Sequence, residues 1–368
     1  MSTNLSPVAI WRRFLRAHFA GPLLVMLGVA AVMALTTDRF LRPQNLANIS
    51  LQMAIVPFVS IGATIVILTA QIDLSPGSLV ALVTVVTAGL IKNQGIPVLP
   101  AVVLVILLGS FLGFINGFFS SYGRIPSFIF TLGTLSVFRG LAFLYTGGTP
   151  IFAVSPDLNA VFYAEFLGIP MPLIYVLLLY SGAGFYLRYT TGGRQIYAVG
   201  GNDAAARLSG ISVNWVRTKA FIIAGAMGAI GGILMTARLD SGSPNYAPGM
   251  ELVAIAAAVI GGTSLFGGQG NIFATLFGAM TIVIVQNGLN LNGVAAAWQN
   301  IALGTIIAAA VAADMWRREL GNIPQGITRL LRSGDEPSAG SSRTEPPDEK
   351  SASPGRHSAS PTSDKERL

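Results

Sequence analysis

The chain has 368 residues, of which 52% are hydrophobic and only 11% are charged. The charged residues are concentrated near the C-terminus: 17 of the 39 lie from Arg317 onward, leaving 22 among the first 316 residues. That is about 7% over those 316 residues, whereas an ordinary soluble domain carries about 25%. The composition therefore excludes an ordinary soluble enzyme and indicates a membrane protein.

Cysteine is absent, and His18 and His357 are the two histidines of the sequence. Disulfides, thiolate metal sites and cysteine nucleophiles are therefore excluded. Neither histidine has the companions that a metal site or an acid–base pair requires, so no metal site is expected. The net charge of +7 fits basic cytoplasmic loops facing anionic lipid better than a nucleic-acid partner, and no nucleic-acid binding is expected.

Ten stretches are candidates for membrane-spanning helices, each of which needs roughly 20 apolar residues. They lie near 19–36, 46–70, 78–91, 98–119, 127–145, 171–187, 219–236, 251–265, 271–290 and 296–315. The third, sixth and eighth are short, which predicts soft boundaries or bent or incomplete helices. The sequence therefore predicts an all-α, polytopic membrane protein with about ten transmembrane helices. The first stretch follows three arginines as a signal peptide would, but its length of about 18 residues favours an uncleaved span.

Lysine and arginine predict the orientation, because cytoplasmic loops are enriched in them. With ten spans and an inner N-terminus, the inner side holds eleven of these residues and the outer side four. The inner ones are Arg12, Arg13, Arg16, Arg124, Arg188, Arg194, Arg207, Arg217, Lys219, Arg317 and Arg318, and the outer ones are Arg39, Arg42, Lys92 and Arg238. We therefore expect both termini in the cytoplasm.

Three regions follow along the chain. Residues 1–18 form a cytoplasmic N-terminal segment, and residues 19–320 form the transmembrane domain. Residues 321–368 are rich in Ser, Pro, Gly and mixed charge. Too few apolar residues remain there to offset the entropy of ordering, so we expect a disordered cytoplasmic tail.

The inner loop 188–218 is polar, basic and rich in glycine. The pairs at 192–193 and 200–201 are expected to interrupt helices. Residues 202–209 can form two helical turns, capped by Asn202 or Asp203 and ended by Gly210. Such a helix under a membrane domain is either a docking element for another protein or a plain connection, and this pattern leaves both open.

Small residues recur every four positions in three of the predicted spans, a spacing that lets helices pack closely in lipid. They are Gly109, Gly113 and Gly117, then Ala224, Gly228 and Gly232, then Ala254, Ala258 and Gly262. We interpret these faces as helix-packing surfaces rather than ligand contacts.

Ionisable residues in or near the bilayer are costly and are therefore functional candidates. They are Asp73, Arg139, Glu251 and Asp314, with Asp240 near the outer surface. Asp73 precedes Pro76 and Gly77, so it either caps the next helix or lines a pathway. Arg139 either lines a pathway or pairs with a carbonyl or carboxylate.

A short internal similarity suggests two related halves. AQIDLSPGS at 70–78 resembles ARLDSGS at 237–243, and each follows a long apolar span. The predicted topology places them on opposite membrane faces, which indicates a possible inverted repeat.

Five segments occur in an order and spacing that cover nearly the whole chain apart from its ends. They are IDLSPGS at 72–78, NGFFSSYGRIPSFIFTLGTLSVFRGLAFLYTGG at 116–148, TTGGRQIYAVGGNDAAARLSGISV at 190–213, ELVAIAAAVIGGTSLFGGQGNIFATLFGA at 251–279 and NGLNLNGVAAAWQNIALGTIIAAAV at 287–311. Together they resemble the membrane subunit of ribose-type ATP-binding-cassette importers, the second carbohydrate-uptake class. They look more like this sugar branch than like its branched-chain amino-acid relatives.

This resemblance implies a multi-pass permease in the bacterial inner membrane that pairs with a second copy or a paralogue. It would rest on cytoplasmic ATPase subunits and receive a ribose-, xylose- or galactose-like sugar from a periplasmic binding protein. It also implies alternating access with no chemistry on this chain: the chain is not an enzyme and carries no cofactor, and ATP and Mg are bound by the partner ATPase.

The same resemblance implies a helix in the inner loop that docks on the ATPase. The coupling residues would be Gly200, Gly201, Asn202, Asp203, Ala205, Ala206 and Gly210. The family pattern EAA-x-x-x-G matches at Ala205, Ala206 and Gly210, while Ala204 stands at the Glu position.

Polar residues within the spans are candidates for a weakly binding sugar path. They are Asp73, Asn116, Thr131, Thr134, Arg139, Asn287 and Gln299. Interhelical hydrogen bonds are the alternative role for each of them.

Three other functions are considered. A permease of the same architecture could carry branched-chain amino acids, nucleosides or a furanose signal. An ion-coupled secondary transporter would need titratable groups at mid-membrane, for which Asp73 and Glu251 are the plausible acids. A membrane enzyme is disfavoured because catalytic clusters are lacking.

Overall fold

The computed structural model describes residues 19–53 and 55–321, with side chains through residue 316. The predicted N-terminal segment lies outside this part, as does the predicted tail apart from Gly321, which ends the last helix. The described chain is predominantly helical, and its strands are two residues long.

The described helices follow the predicted stretches closely. They are α1 Ala20–Thr36, α2 Pro43–Gln52, α3 Val56–Leu68, α4 Pro76–Ala88, α5 Val98–Ser121, α6 Ser127–Thr146, α7 Pro156–Phe162, α8 Met171–Tyr189, α9 Thr191–Gly201, α10 Asp203–Leu208, α11 Val213–Leu239, α12 Met250–Ile260, α13 Ile272–Leu291 and α14 Ala296–Gly321. All ten predicted stretches are helical, which confirms an all-α polytopic fold. Within the described residues, eight helical segments are long and apolar enough to cross a membrane, with α2 and α3 together forming one of them.

The predicted short stretches have three different outcomes. The sixth is a helix of 19 residues that ends two residues beyond the predicted boundary, which is the soft-boundary alternative. The third extends through a π-helical turn, Gly89–Asn93. The eighth is a helix of only 11 residues.

Helix α12 ends before the predicted boundary at residue 265. Gly262 has a φ of +81°, a left-handed conformation that a helix cannot continue through. Gly262 therefore lies in the turn after the helix, and its assignment to one face with Ala254 and Ala258 is wrong. Both alanines are fully buried.

The core of the bundle is built around α11, which packs against α3, α4 and α5. The apolar stretches of α3, α4, α11 and α13 are mostly buried, whereas less than a third of the residues in those of α5, α6 and α8 are buried. Helix α14 lies at the periphery and contacts the core through Leu303. Exposed apolar faces of this length are suited to contact with lipid or with another membrane subunit.

Two of the small-residue faces interpreted as packing surfaces do make close helix contacts. Gly109, Gly113 and Gly117 of α5 face the backbone of α11, so that a Cβ at any of them would overlap its atoms. Gly228 and Gly232 of α11 face Leu79 and Val83 of α4. The α5–α11 contact also depends on Gly225, which the four-residue spacing did not select.

The long loop at the opposite end of the bundle from α10 is folded. It contains α7, and its strand β1 Ile151–Phe152 pairs antiparallel with β4 Ser241–Gly242. Strands β2 Glu165–Phe166 and β3 Ile169–Pro170 form a hairpin.

The two segments of similar sequence occupy related places. Segment 69–75 connects α3 to α4, and segment 240–249 connects α11 to α12. Helix α3 packs on α12 while α11 packs on α4, a reciprocal arrangement that is consistent with an inverted repeat. The N-termini of α4 and α12 meet, because Gly77 lies against the Glu251 carboxylate and the Ala247 carbonyl.

Candidate functional site

The short helix predicted in the inner loop is present as α10. The Asn202 side chain caps it by accepting a hydrogen bond of 3.0 Å from the Ala205 amide. Gly210 follows the helix with a φ of +80°, a conformation that favours glycine. Of the two predicted caps, Asn202 therefore fills the role, and Asp203 is the first helical residue.

The two flanking glycine pairs, both predicted to interrupt helices, have different outcomes: α9 ends at Gly201, whereas the pair at 192–193 lies inside the helix. They lie in the first and last turns of α9, which Thr190 caps through a 3.1 Å hydrogen bond from the Gly193 amide. Gly193 and Gly200 are also needed for close approach. A Cβ on Gly193 would overlap the carbonyls of Tyr186 and Leu187, and one on Gly200 would overlap the Leu68 carbonyl.

Helix α9 links the inner loop to two segments of the bundle. Besides the contact of Gly200 with the end of α3, the Tyr197 hydroxyl donates a 3.1 Å hydrogen bond to the Gly270 carbonyl. Burial raises the pKa of Tyr197, which keeps the phenol protonated as a donor. The Gly268 amide in turn donates to the Leu68 carbonyl at 3.0 Å. Thus α9 holds both the end of α3 and the loop between α12 and α13.

Polar side chains attach α10 to α11. Arg217 forms an ion pair with Asp203 at 3.6 Å, and Arg207 donates to the Asn214 side chain at 3.4 Å. Ala206 is buried against the bundle, whereas Ala205 faces solvent. Helix α10 is therefore fixed on one side and free on the other.

The exposed side of α10 carries an apolar residue that the motif analysis did not select. Leu208 is a large apolar residue, yet 92% of its surface is exposed. The residues on either side of it in the loop are polar. A large apolar side chain held out from a short capped helix is typical of a protein contact. Its position between the Ala205–Ala206 pair and Gly210 is the signal that could have identified it.

A second polar group surrounds the start of α4. The Asp73 carboxylate accepts hydrogen bonds from the amide and hydroxyl of Ser75, at 2.9 and 2.7 Å. The amide of Asn116 donates to the Ser75 hydroxyl at 2.8 Å, and the Thr131 hydroxyl accepts from the Leu74 amide at 3.0 Å. The structure thus brings Asp73, Asn116 and Thr131 together. Asp73 bonds Ser75, the residue just before α4, and no amide of the helix itself, so it closes a turn and does not cap the helix as one of its predicted roles required.

Two further pathway candidates lie on α6. The Thr134 hydroxyl donates to the Thr131 carbonyl at 3.2 Å. Arg139 donates to the carbonyls of Pro244 and Tyr246, the latter at 2.8 Å, so it has the carbonyl partner that was one of its two predicted roles. This contact ties α6 to the segment before α12.

Asn287 and Gln299 lie elsewhere. Asn287 is buried and exchanges two hydrogen bonds with Asn45, at 2.9 and 3.0 Å. Gln299 donates to Asn290 and to the Val294 carbonyl at the junction of α13 and α14. Both residues have the interhelical contacts that were the alternative to a pathway role, and the structure does not place them with the group around Asp73.

No group of three or more His, Cys, Asp or Glu side chains among the described residues is placed to hold a metal ion.

Residues 45–311 match the family described as the permease component of branched-chain amino acid transport systems. The chain belongs to this permease family. The match extends from α2 into α14 and so includes α9, α10 and the residues around Asp73.

Several relatives in this family carry sugar names. The ribose import permease RbsC of Bacillus subtilis is 40% identical over 307 residues, covering 81% of this chain and 95% of that protein. The D-allose permease AlsC of Escherichia coli is 38% identical, covering 78% and 88%. The xylose permease XylH of the same organism is 32% identical, covering 79% and 91%. No solved structure matches the chain.

Proposed function

We propose that this permease carries a monosaccharide across the bacterial inner membrane as part of an ATP-driven importer. Relatives named for ribose, D-allose and xylose import support a sugar as the solute. The cytoplasmic side is the one that holds α9 and α10, where the basic residues of the inner loops collect. A periplasmic binding protein would deliver the sugar to the opposite end.

The contact of α9 with the bundle is the observation that carries this proposal. Helix α10 has an exposed apolar residue for a partner, and α9 continues from it directly to the end of α3. A partner that moves α10 would therefore move Leu68 and the loop around Gly268 together. We assign the partner surface to α10, with Leu208 as its apolar anchor and Ala205 beside it.

The path of the movement follows from connectivity. Beyond Leu68, segment 69–75 leads to the start of α4, and the loop around Gly268 leads back to α12. The starts of α4 and α12 meet at Gly77 and Glu251. Displacement at the cytoplasmic end would thus reach both halves of the bundle at the place where they touch, which is how a two-state opening could be driven without chemistry on this chain.

A second permease subunit is part of the proposal. The exposed apolar residues of α14, α5, α6 and α8 offer faces for lipid and for this subunit. ATP and Mg would be bound by the ATPase partner.

The first test is purification of the tagged full chain from its host membrane in mild detergent, with mass spectrometry of the proteins that accompany it. We expect an ATP-binding-cassette subunit in the wild-type sample and a loss of at least tenfold in the Leu208→Asp variant. Leu167→Asp is the matched control, because Leu167 is 87% exposed in the hairpin at the opposite end of the bundle.

Uptake into proteoliposomes then tests the solute and the energy source. ATP-dependent uptake of a labelled monosaccharide from its binding protein is the expected result. Uptake of leucine or a nucleoside instead would show that the permease carries that solute and not a monosaccharide. Uptake driven by an ion gradient without ATP, by a chain that purifies alone, would overturn the importer.

A further inference from the structure

A cavity of about 490 Å³ opens beside α10, and the proposed transport mechanism does not use it. Its lining comes from four places in the fold: Gln71 between α3 and α4, the end of α5 with the turn to α6, helix α10 and the first turns of α11. Arg124, Arg207 and Arg217 each come from one of these places. The lining contains three arginines and no acidic residue, so the cavity is positively charged.

Two buried hydroxyls mark the inner part of the cavity. Ser120 and Ser121, at the end of α5, line it and are 7% and 8% exposed. Within the described part of the chain neither hydroxyl has a hydrogen-bond partner. A serine in a helix ordinarily donates to the carbonyl four residues before it. Neither serine makes this bond, although the Gly117 carbonyl behind Ser121 has only the Thr218 hydroxyl at 3.2 Å as a side-chain partner, and that hydroxyl also reaches the Asn214 carbonyl at 2.8 Å.

The positive charge is only partly neutralised. Asp203 pairs with Arg217 at 3.6 Å, and the described residues offer no second carboxylate to the other two arginines. Arg207 donates to the neutral side chain of Asn214. The Nε atom of Arg217 is buried and has no partner among the described residues. Guanidinium groups with free donors, next to unpaired hydroxyls, are suited to phosphate oxygens.

We propose that this cavity binds a phosphate monoester. The dianion would accept hydrogen bonds from the three guanidinium groups and from the hydroxyls of Ser120 and Ser121. Its placement in the cytoplasm rests on the orientation given under the proposed function. The same group occurs on a phosphorylated sugar in solution and on the headgroup of phosphatidic acid, and the cavity chemistry is common to both.

Occupancy would affect movement of the coupling helix. A ligand held by Arg207 of α10 and by Arg124 between α5 and α6 would tie α10 to that turn and so resist the displacement of α10 described under the proposed function. A bound phosphate monoester would therefore slow transport. For a phosphorylated sugar this would be inhibition by the product of a sugar kinase acting on the imported solute.

Binding is measured on the full chain in phosphatidylcholine nanodiscs, without ATPase, by calorimetry with ribose 5-phosphate. Ribose serves as the neutral ligand. We expect binding of the ester and none of ribose, with Kd raised at least tenfold in Arg124→Gln. Arg194→Gln is the control, since Arg194 is an exposed arginine on the same side of the bundle but outside the cavity lining. Thermal unfolding of each variant shows that it is folded.

A separate experiment tests phosphatidic acid as the ligand. Nanodiscs containing phosphatidic acid are compared with pure phosphatidylcholine by native mass spectrometry of retained lipid, using the same two variants. Soluble ester binding that Arg124→Gln weakens supports a metabolite, and selective retention of phosphatidic acid that Arg124→Gln removes supports a lipid. The double variant Ser120→Ala, Ser121→Ala should weaken whichever ligand binds.

Two outcomes would overturn the proposal. One is absence of both ester binding and lipid retention, and the other is equal behaviour of Arg124→Gln and Arg194→Gln. Neither experiment contains ATPase or measures transport. The binding results can therefore be interpreted even if the importer function fails in proteoliposomes. A positive binding result, conversely, does not establish transport of a sugar.

Discussion

Gly200 of α9 lies against the carbonyl oxygen of Leu68 so closely that a Cβ at position 200 would overlap it. The same carbonyl accepts a hydrogen bond from the Gly268 amide. Three segments distant in sequence therefore meet at one backbone atom. This junction is the physical link between the coupling helix and the membrane bundle.

Gly200→Ala is expected to destabilise this junction, because the added methyl group must displace backbone rather than a flexible side chain. Overpacking of this kind costs about 1–3 kcal/mol. Transport should fall further than stability does, since the junction would carry the movement. Thermal unfolding in detergent and ATP-dependent uptake measure the two effects.

Gly201→Ala is the matched control for that change. A Cβ at position 201 meets no atom within 4 Å, and the residue is next in the same helix. It should leave both stability and uptake near wild type. Equal losses in the two variants would contradict the proposed role of the junction.

Gly113→Ala is expected to separate α5 from α11. A Cβ there would overlap the Phe221 carbonyl, and the helices have no flexible side chain at that contact to yield. We expect a loss of about 1–3 kcal/mol in the free energy of unfolding, measured as a lower midpoint of thermal unfolding.

Gly133→Ala provides the comparison for this helix contact. Gly133 is exposed on α6, and a Cβ would meet no atom within 4 Å. Alanine is the better helix former, so this variant should be unchanged or slightly stabilised. A Gly113→Ala protein as stable as Gly133→Ala would show that the close packing of α5 on α11 is not needed.

Asp73→Asn is expected to retain most ATP-dependent uptake. An asparagine side chain can still accept the hydrogen bond that Asp73 receives from the Ser75 amide. Asp73→Ala removes this acceptor and should cost about 0.5–1.5 kcal/mol of stability. Uptake assays and thermal unfolding of both variants separate the two contributions.

An ion-coupled transporter predicts the opposite pattern for Asp73. It would need the titratable acid itself, so Asp73→Asn would abolish uptake while the protein stayed folded. Asp157→Asn, an exposed change at the start of α7, serves as the control for loss of a carboxylate.

Asn287→Ala is expected to destabilise the protein without changing which solute is carried. It would leave the buried Asn45 amide without one of its partners, which costs about 1–3 kcal/mol in soluble proteins and less on average between membrane helices. Thermal unfolding measures the cost, and competition between sugars during uptake measures selectivity.

The exposed Asn292 is the control for this pair, and Asn292→Ala should have a smaller effect. A double-mutant cycle with Asn45→Ala should show strong coupling, because each asparagine bonds the other. A stable Asn287→Ala protein with altered sugar selectivity would assign Asn287 to the pathway instead.

Local sequence patterns were sufficient to predict most of the helices. Each predicted stretch became a helix because apolar composition and length act within a segment. The α10 helix was predictable for the same reason, since Asn202 and Gly210 define its two ends through bonds and dihedral angles of nearby residues. The domain limits and the functional roles of the site residues stay predictions.

The glycines show what local sequence patterns cannot predict. A glycine that interrupts a helix and one that allows close approach have the same sequence signal. For Gly200 the difference depends on Leu68, which is distant in the chain. Gly225 and Leu208 were missed for related reasons, because their importance depends on a neighbouring helix or on exposure.

The sequence by itself determined that this is an all-helical membrane protein with a short capped helix in a basic loop, and its motifs indicated the permease family. These properties depend on composition, periodicity and capping, which are set by residues a few positions apart. Only the tertiary structure decided that α9 meets the end of α3, that Asn287 bonds Asn45, and that three arginines share one cavity with Ser120 and Ser121. Those contacts join distant segments, and their geometry arises from packing the whole bundle.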